Sequence, residues 1–292
     1  MTKGRVKRWV WYLVLGLGIV TGCVAYPYLR YFFFASDMSS SKSSIQVMGH
    51  RGASALAPEN TLAAFRAAMP HAEVLELDVH LTRDDSVVVM HDPTVDRTTD
   101  GKGAIAELAY ADLAALDAGS WLGEAFKGER VPTLAQVLDL VNGQRTVLIE
   151  LKWPRNGIYH NLVPRVVELI RARKAETWVI VQSFEYKYLD ELRRLAPDIT
   201  AYQLLYGYLA FPPVYRDRSF HLGTFPIVEG VKGLAIYYKF LSPSLVEKIH
   251  GQGLKIIAWT VNDPFDIRRV ANLGVDGIIS DNPGAVKGEL GL

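Results

Sequence analysis

Short apolar runs rich in β-branched residues recur along the chain and alternate with patterns typical of amphipathic helices. Such alternation predicts parallel strands joined by crossover helices. Because helices cover both faces of a parallel sheet, its strands are continuous apolar runs like these. A doubly wound open sheet shows the same alternation, but eight units in about 250 residues favour a closed (β/α)8 barrel. The eight predicted strands are Ile45–His50, Val74–Val79, Thr146–Lys152, Trp178–Ser183, Ile199–Leu204, Gly233–Tyr237, Leu254–Val261 and Asp276–Asp281.

Two connections are longer than an ordinary loop, and loops beyond about 15 residues are uncommon unless they are functional. An extra strand is predicted at Val87–Met90, and residues 93–132 after it are expected to form a small insertion beside the second strand. Residues 206–231 are expected to be a loop that is unusually rich in aromatic side chains. The predicted helices are Asn60–Met69, Leu134–Val141, Leu162–Lys174, Lys187–Leu195, Pro243–His250 and Pro264–Leu273, with a short one at Ala111–Leu116.

The N-terminal region is typical of a membrane anchor. Residues 9–29 carry no charged side chain, and the apolar character continues to Phe34. At about 1.5 Å per residue, a helix of this length crosses a hydrocarbon core of about 30 Å. Basic residues are concentrated before the run, which places the N-terminus in the cytoplasm and the main domain outside. The predicted organisation is a cytoplasmic terminus at 1–8, a transmembrane anchor at 9–34, a linker at 35–44 and a barrel domain at 45–292.

Two other interpretations of this region remain open. The run resembles a cleaved signal peptide, although it is long for one. Residues 20–23 also resemble a bacterial lipoprotein cleavage box, which would leave Cys23 lipidated. All three interpretations place the barrel domain outside the cytoplasm and beside a membrane, in the periplasm if the source is bacterial.

Composition limits the function classes. Hydrophobic residues make up 49% of the 292 residues, which is enough for a full core. The net charge is +1, and residues 1–8 alone carry four basic side chains, so the rest of the chain is slightly acidic. A basic nucleic-acid footprint is therefore not expected. With Cys23 as the single cysteine, no intrachain disulfide forms and cysteine usage does not reveal the compartment. No obligate protein partner is inferred.

Polar residues cluster where the predicted strands end, which is where (β/α)8 barrels build their active sites. Within the second strand, Glu76 and Asp78 are two residues apart and point the same way. Glu150 and Lys152 repeat that spacing in the third strand. The polar or aromatic residues at these positions are His50, Arg51, Glu76, Asp78, His91, Glu150, Lys152, Gln182, Ser183, Gln203, Trp259 and Asp281.

Three carboxylates that converge on one barrel mouth need a cation, since buried acids are costly without a partner. Hard oxygen ligands favour one Mg²⁺ or Ca²⁺ ion over zinc. The site thus holds two imidazoles to move protons, cations for a phosphate and acids for a metal, as cleavage of a phosphodiester requires. The alternatives are an exposed edge for Glu76 and Asp78, a structural ion pair between Lys152 and Glu150, and a core position for Trp259. His80 follows the same alternation as Glu76 and Asp78, but it is expected to lie beyond the end of the strand.

At these residues the chain resembles the glycerophosphodiester phosphodiesterase family. The resemblance implies a (β/α)8 barrel that hydrolyses glycerophosphodiesters to sn-glycerol 3-phosphate and an alcohol with the help of a divalent metal. It implies metal ligands at Glu76, Asp78 and Glu150, catalytic histidines at His50 and His91, and substrate contacts from Arg51, Lys152 and Trp259. The matching motifs run in family order: His50-Arg51-Gly52-Ala53, Pro58-Glu59-Asn60-Thr61, Glu76-Leu77-Asp78-Val79, Val88-Val89-Met90-His91-Asp92, Arg97-Thr98-Thr99, Glu150-Leu151-Lys152 and Trp259-Thr260-Val261-Asn262.

Two rival functions fit the same residues. A membrane-anchored lysophospholipase D would cleave lysophospholipids, and the anchor and the aromatic loop at 206–231 favour that interpretation. A barrel without activity would bind a phosphorylated ligand or a protein, but an inactive descendant is expected to have lost a histidine or a metal acid. The expected substrate is accordingly a small-molecule or lipid-derived phosphodiester.

Overall fold

The computed structural model describes residues 45–210 and 213–292. The predicted cytoplasmic terminus, the anchor at 9–34, the linker and Cys23 all lie outside the described residues. Among the described residues, no helix has the length and apolar character needed to cross a membrane.

Eight parallel strands close into a barrel, as predicted. The strands are β1 (Gln46–Gly49), β2 (Val74–Leu81), β3 (Val87–Val89), β4 (Thr146–Leu151), β5 (Val179–Ser183), β6 (Thr200–Leu205), β7 (Gly207–Ala210), β8 (Pro213–Arg216), β9 (Phe220–Leu222), β10 (Gly233–Tyr237), β11 (Lys255–Trp259) and β12 (Gly277–Ser280). The barrel order is β1-β2-β4-β5-β6-β10-β11-β12, and β1 closes it by pairing with both β2 and β12. Every predicted barrel strand is confirmed within one or two residues at each end.

Helices connect the barrel strands. They are α1 (Leu62–Ala68), α2 (Tyr110–Ala114), α3 (Leu134–Val141), α4 (Leu162–Ala172), α5 (Tyr186–Leu195), α6 (Pro243–His250), α7 (Pro264–Asn272) and α8 (Pro283–Leu290). Side-chain caps set where several begin: Thr133 accepts from the Gln136 amide at α3, and Asp263 accepts from the Phe265 amide at α7. The sequence patterns did not predict α8, because it contains two glycines, which are weak helix formers.

The barrel interior changes from apolar to polar along the strands, and this change positions the site. Inward-pointing residues alternate, so Val74 in β2 is followed on the same side by Glu76, Asp78 and His80. The lower interior is a packed apolar layer, and the polar side chains lie above it at the carboxyl ends of the strands. That layer is Met48, Val74, Leu148, Tyr202, Leu204, Ala235, Ile257 and Ile279.

Residues 93–132 connect β3 to α3 beside the barrel. β3 pairs antiparallel with the end of β2, which confirms the predicted extra strand. The segment contains α2 and short 3-10 helices at Ile105–Glu107 and Glu124–Phe126. Its apolar residues pack with β3 and the residue after it in one cluster, which consists of Val88, Met90, Val95, Ile105, Leu113, Ala118 and Val131.

The expectation of a loop at residues 206–231 was wrong. This segment forms a second, three-stranded antiparallel sheet in the order β7-β8-β9. Each of these strands has only three or four residues, too few for the alternation that identifies a strand in a sequence.

Candidate active site

A cavity of about 500 Å³ opens at the carboxyl ends of the barrel strands. Seven of the eight predicted site residues line it, and the eighth, Asp78, is buried among the carboxylates beside it. The seven are His50, Arg51, Glu76, His91, Glu150, Lys152 and Trp259. The structure therefore brings all of the predicted residues together at one place, while their chemical roles stay predictions.

The three acids form a compact buried cluster. Glu76 and Asp78 both point inward from β2, and Asp78 is the register partner of Glu150 on the neighbouring β4. One carboxylate oxygen from each lies within 4.8 Å of the others. None of the three is more than 6% exposed, so the predicted alternative of an exposed edge does not hold for Glu76 and Asp78.

Two cations and two amide groups contact the cluster. Lys152 Nζ lies 2.8 Å from Glu150 Oε1 and 3.1 Å from Asp78 Oδ1. Arg51 Nε lies 3.4 Å from Asp78 Oδ2, and the Arg51 amide donates to Glu76 Oε2 at 2.9 Å. Asn60 Nδ2 donates to Asp78 Oδ2 at 2.9 Å. Lys152 thus pairs with Glu150, as the structural alternative supposed, and it also lines the cavity.

The pKa values of the three acids shift in different directions, because burial and mutual repulsion compete with the nearby cations. Burial raises the pKa of Glu76 well above its usual range, and the charges of Asp78 and Glu150 raise it further. Burial also raises the pKa of Glu150, although Lys152 opposes the shift. For Asp78, Lys152 and other cations outweigh the effect of burial and hold its pKa well below its usual range. A divalent cation fits these three oxygen donors, because it would let all three carboxylates ionise.

The turn after β1 has a demanding backbone. Arg51 and Asn60 adopt left-handed conformations, with φ of 54° and 60°, which non-glycine residues adopt rarely. The Asn60 amide donates to the Arg51 carbonyl at 3.0 Å. A Cβ at Gly49 would lie 2.4 Å from the Gly52 carbonyl oxygen, so this position requires glycine. The turn thereby directs one amide and two side chains to the acids.

His50 is oriented by an acid at the end of β12. Its Nδ1 lies 2.6 Å from Asp281 Oδ1, which also accepts from Ser54 Oγ at 2.8 Å. Asn262 Nδ2 donates to Asp281 Oδ2 at 2.6 Å. The His50 hydrogen bond and charge outweigh burial and hold the pKa of Asp281 at about 2, so this carboxylate is ionised. Within residues 45–210 and 213–292, Nε2 of His50 makes no hydrogen bond, and it is the nitrogen left for a substrate.

His91 has a comparable carboxylate partner in the same cavity. Its Nδ1 lies 2.7 Å from Asp92 Oδ1. Arg97 Nε and Nη2 donate to Asp92 at 2.7 and 3.1 Å. Burial lowers the pKa of His91, and Lys152 contributes in the same direction, although Asp78 opposes it. His91 is therefore neutral near pH 7.

His80 contacts the backbone of His91, and the prediction that His80 lies beyond the strand end was wrong. β2 continues to Leu81, two residues further than predicted, so His80 is buried inside the barrel. Its Nε2 contacts the His91 carbonyl oxygen at 3.1 Å, and its Nδ1 contacts the Tyr159 hydroxyl at 3.1 Å. Because a carbonyl only accepts, Nε2 carries the proton. Burial lowers the pKa of His80 to about 4.

Some buried polar atoms at the cavity have no hydrogen-bond partner, although Arg51 Nε keeps its 3.4 Å ion-pair contact with Asp78. Within the described part of the chain there are four such side-chain atoms, and three of them belong to residues that line the cavity. These are Arg51 Nε, Gln182 Oε1 and Trp259 Nε1. Buried polar groups are nearly always satisfied in folded proteins, so these three indicate a polar ligand. The Trp259 ring also packs edge-on against Phe184 and Tyr206, at centroid distances of 5.7 and 5.9 Å.

Several contributors had no role in the sequence-based prediction. Glu59, Asp92 and Arg97 were visible only as motif residues, and Asp281 only as a strand end. Trp153, Arg216 and Arg218 line the cavity but carry no motif signal. For His80 the sequence did carry a signal, since its position in the strand alternation places it on the same side as Glu76 and Asp78.

Comparisons with known proteins agree with this geometry. The family model described as "Glycerophosphoryl diester phosphodiesterase family" matches residues 50–285. The glycerophosphodiester phosphodiesterase of Caldanaerobacter subterraneus is 37% identical over 243 residues, which cover 81% of this chain and 94% of that protein. One from Bacillus subtilis is 32% identical over 260 residues, which cover 83% and 85%.

A solved structure is similar over the same region. It is an Oleispira antarctica phosphodiesterase in complex with the product sn-glycerol-3-phosphate. The TM-score is 0.73 at 29% identity, and the match covers 85% of this chain and 97% of that one. The fold, the cavity and these matches together place the chain in the glycerophosphoryl diester phosphodiesterase family, as an enzyme that hydrolyses phosphodiesters.

Proposed function

We propose that this chain hydrolyses glycerophosphodiesters to sn-glycerol 3-phosphate and an alcohol, with a divalent metal and with His50 and His91 as acid and base. One observation carries the proposal: the buried acid cluster lies in the same cavity as two histidines, each held by its own carboxylate. The relative from Oleispira antarctica, which binds sn-glycerol-3-phosphate, supports the product.

The metal in this proposal would be held by Glu76, Asp78 and Glu150. Bound there, an ion such as Mg²⁺ or Ca²⁺ would act as a Lewis acid toward the phosphate. Lys152 and Arg51 border the same carboxylates and supply positive charge for the phosphate oxygens. Arginine is well suited to this role because its planar guanidinium binds two oxygens at once.

The two histidines divide the proton transfers. His91 is neutral near pH 7, because burial lowers its pKa, so it accepts a proton from the oxygen that attacks the phosphorus, which belongs to water or to a glycerol hydroxyl. His50 donates a proton to the departing alcohol oxygen from Nε2, while Asp281 holds Nδ1. An alkoxide is a poor leaving group, so the acid is needed as much as the base; each transfer typically contributes about 10²–10⁴ in rate.

The direct test is release of glycerol 3-phosphate from a glycerophosphodiester by the purified chain. The reaction is run after chelation and again after Mg²⁺ or Ca²⁺ is restored. Metal-dependent release supports the proposal. If the chain cleaves no diester with any divalent ion, the proposal is refuted and the interpretation as a barrel without activity is favoured.

A lysophospholipase D activity is the second candidate. It is favoured by the apolar surface of the β7-β8-β9 sheet, where Leu209, Phe220 and Leu222 are 52%, 74% and 88% exposed. A direct comparison of glycerophosphocholine with lysophosphatidylcholine separates the two activities.

The location of the enzyme is a proposal that rests on sequence. An anchor at residues 9–34 would hold the barrel outside the cytoplasm, and lipidation at Cys23 is the alternative. Membrane fractionation of the full chain beside a Cys23→Ser variant distinguishes them, since only a lipoprotein loses its membrane association in that variant.

A further inference from the structure

The sheet formed by β7, β8 and β9 brings two arginines to the same cavity as the histidines. Arg216 ends β8, and Arg218 follows it. The guanidinium carbon of Arg216 lies 4.6 Å from the centroid of the Tyr206 ring and 5.0 Å from that of Phe220. The guanidinium carbon of Arg218 lies 4.5 Å from the centroid of the Trp153 ring. Both charges therefore rest on aromatic faces at the rim.

The two arginines differ in their partners. Arg218 forms an ion pair with Glu185. Arg216 has no ion pair with any residue in the described ranges, although its backbone is fixed because its carbonyl accepts from the Tyr206 amide at 2.8 Å. Asp217 also lines the cavity, but its Oδ1 already accepts from the Ser219 amide at 2.9 Å and contacts His221 Nε2 at 3.0 Å. Of the two arginines at this rim, Arg216 is thus the one without an ion-pair partner among the described residues.

This arrangement disfavours a cationic substituent on the substrate. An aromatic wall binds a quaternary ammonium through open ring faces. Here, guanidinium groups already lie over Tyr206 and Trp153, and Arg216 would repel a further cation. An anionic group would instead gain a charge-assisted hydrogen bond from Arg216.

We propose that this cavity selects glycerophosphodiesters by the charge of the alcohol, and that it prefers an anionic alcohol to a quaternary ammonium alcohol such as choline. The inference rests on the proposed function. The glycerol is uncharged and common to all of these substrates, so discrimination by charge acts on the alcohol.

The test uses three glycerol 3-phosphate esters whose alcohols are 3-hydroxypropanoate, 1-propanol and choline. Release of glycerol 3-phosphate is the common readout, and kcat/KM is compared at low salt. We expect the anionic ester to exceed the choline ester by about fivefold or more, since an exposed ion pair contributes up to about that factor and repulsion adds to it. Added salt should reduce the ratio, because it screens an exposed charge.

In Arg216→Gln, the ratio of kcat/KM for the anionic ester to kcat/KM for the choline ester should fall close to the ratio that the unchanged enzyme shows at added salt. Arg165→Gln is the matched control: this exposed arginine lies on α4 and pairs with Glu168, outside the cavity. Equal rates on all three esters, a preference for choline, or a ratio that survives in Arg216→Gln would each overturn the inference while the proposed function stands. No release even from the propyl ester would refute the proposed function, and this inference with it.

Discussion

Arg97 and Glu59, 38 residues apart in the chain, form a bidentate ion pair beside the cavity. Arg97 Nη1 donates to Glu59 Oε2 at 2.8 Å, and Nη2 donates to Glu59 Oε1 at 2.7 Å. The same Arg97 donates to Asp92, which holds His91, and Glu59 accepts from Arg51 Nη1 at 2.8 Å. One arginine therefore connects the carboxylate that holds His91 with the carboxylate that holds Arg51.

Arg97 holds Glu59 and Asp92 in place, and it does not itself contact Glu76, Asp78 or Glu150 among the interactions of the described residues. Arg97 lowers the pKa of Glu59 and of Asp92 against the effect of burial, so both carboxylates stay ionised. Ionised carboxylates are the state that holds His91 Nδ1 and Arg51 in place.

Arg97→Lys should lower kcat by about 10- to 100-fold, as the loss of supporting contacts around an active site often does. Lysine keeps the charge but cannot bridge two carboxylates with a planar fork. Steady-state kinetics beside metal titrations measure the effect, and we expect the metal concentration for half activity to change little.

Arg173→Lys is the control for Arg97→Lys. Arg173, directly after α4, makes a comparable bidentate pair with Asp139 on α3, at 2.7 and 3.0 Å. Its replacement should leave kcat unchanged. Equal losses in both variants would mean that Arg97 acts through general stability and not through His91 and Arg51.

His50→Ala and His91→Ala should each reduce turnover of an alkyl diester by about 10²–10⁴ with the fold intact. A p-nitrophenyl ester should restore most of the loss in His50→Ala, because nitrophenolate leaves without protonation. His91→Ala should stay slow on both esters. Rescue of His91→Ala instead would reverse the two roles, and the exposed His160→Ala serves as the unaffected control.

The barrel could be predicted because each strand is a short β-branched run typical of burial on both faces, and a count of eight such runs favours a closed barrel over an open sheet. The acid cluster followed from spacing: residues two apart on a strand share a side, and strand ends meet at one mouth. Glu76, Asp78 and Glu150 needed no further information to be brought together.

Other parts of the site depend on tertiary geometry that spacing does not encode. The pair of Arg97 with Glu59 joins two connections that are 38 residues apart, and neither residue belongs to a periodic pattern. His80 was misplaced because the end of β2 was predicted two residues early. The short strands β7 to β9 carry too few residues to show alternation, so the position of Arg216 at the cavity was not visible.

Glu150→Gln should raise the metal concentration for half activity by about tenfold or more, since even outer contacts of metal sites contribute 10- to 100-fold. The amide keeps the shape but removes a charged oxygen ligand. Calorimetric titration with Mg²⁺ and Ca²⁺ gives a readout independent of activity. Glu168→Gln, an exposed change on α4, is the control; an unchanged titration in Glu150→Gln would exclude Glu150 from the ligand set.

His80→Gln should reduce the amount of folding stability that the protein loses when the pH falls from 7 to 4.5. The pKa of His80 is about 4 in the folded protein and near 6.5 in the unfolded chain, so between these values the unfolded state binds more protons. Its contribution to the free energy of unfolding is therefore full above pH 6.5 and falls toward pH 4, by at most about 3 kcal/mol. Urea denaturation at pH 7 and pH 4.5 measures this, and the difference between the two pH values should be smaller in His80→Gln than in the wild type. Equal differences in the two proteins would show that His80 is already protonated in the fold, and His160→Gln, at an exposed position, should behave as the wild type does.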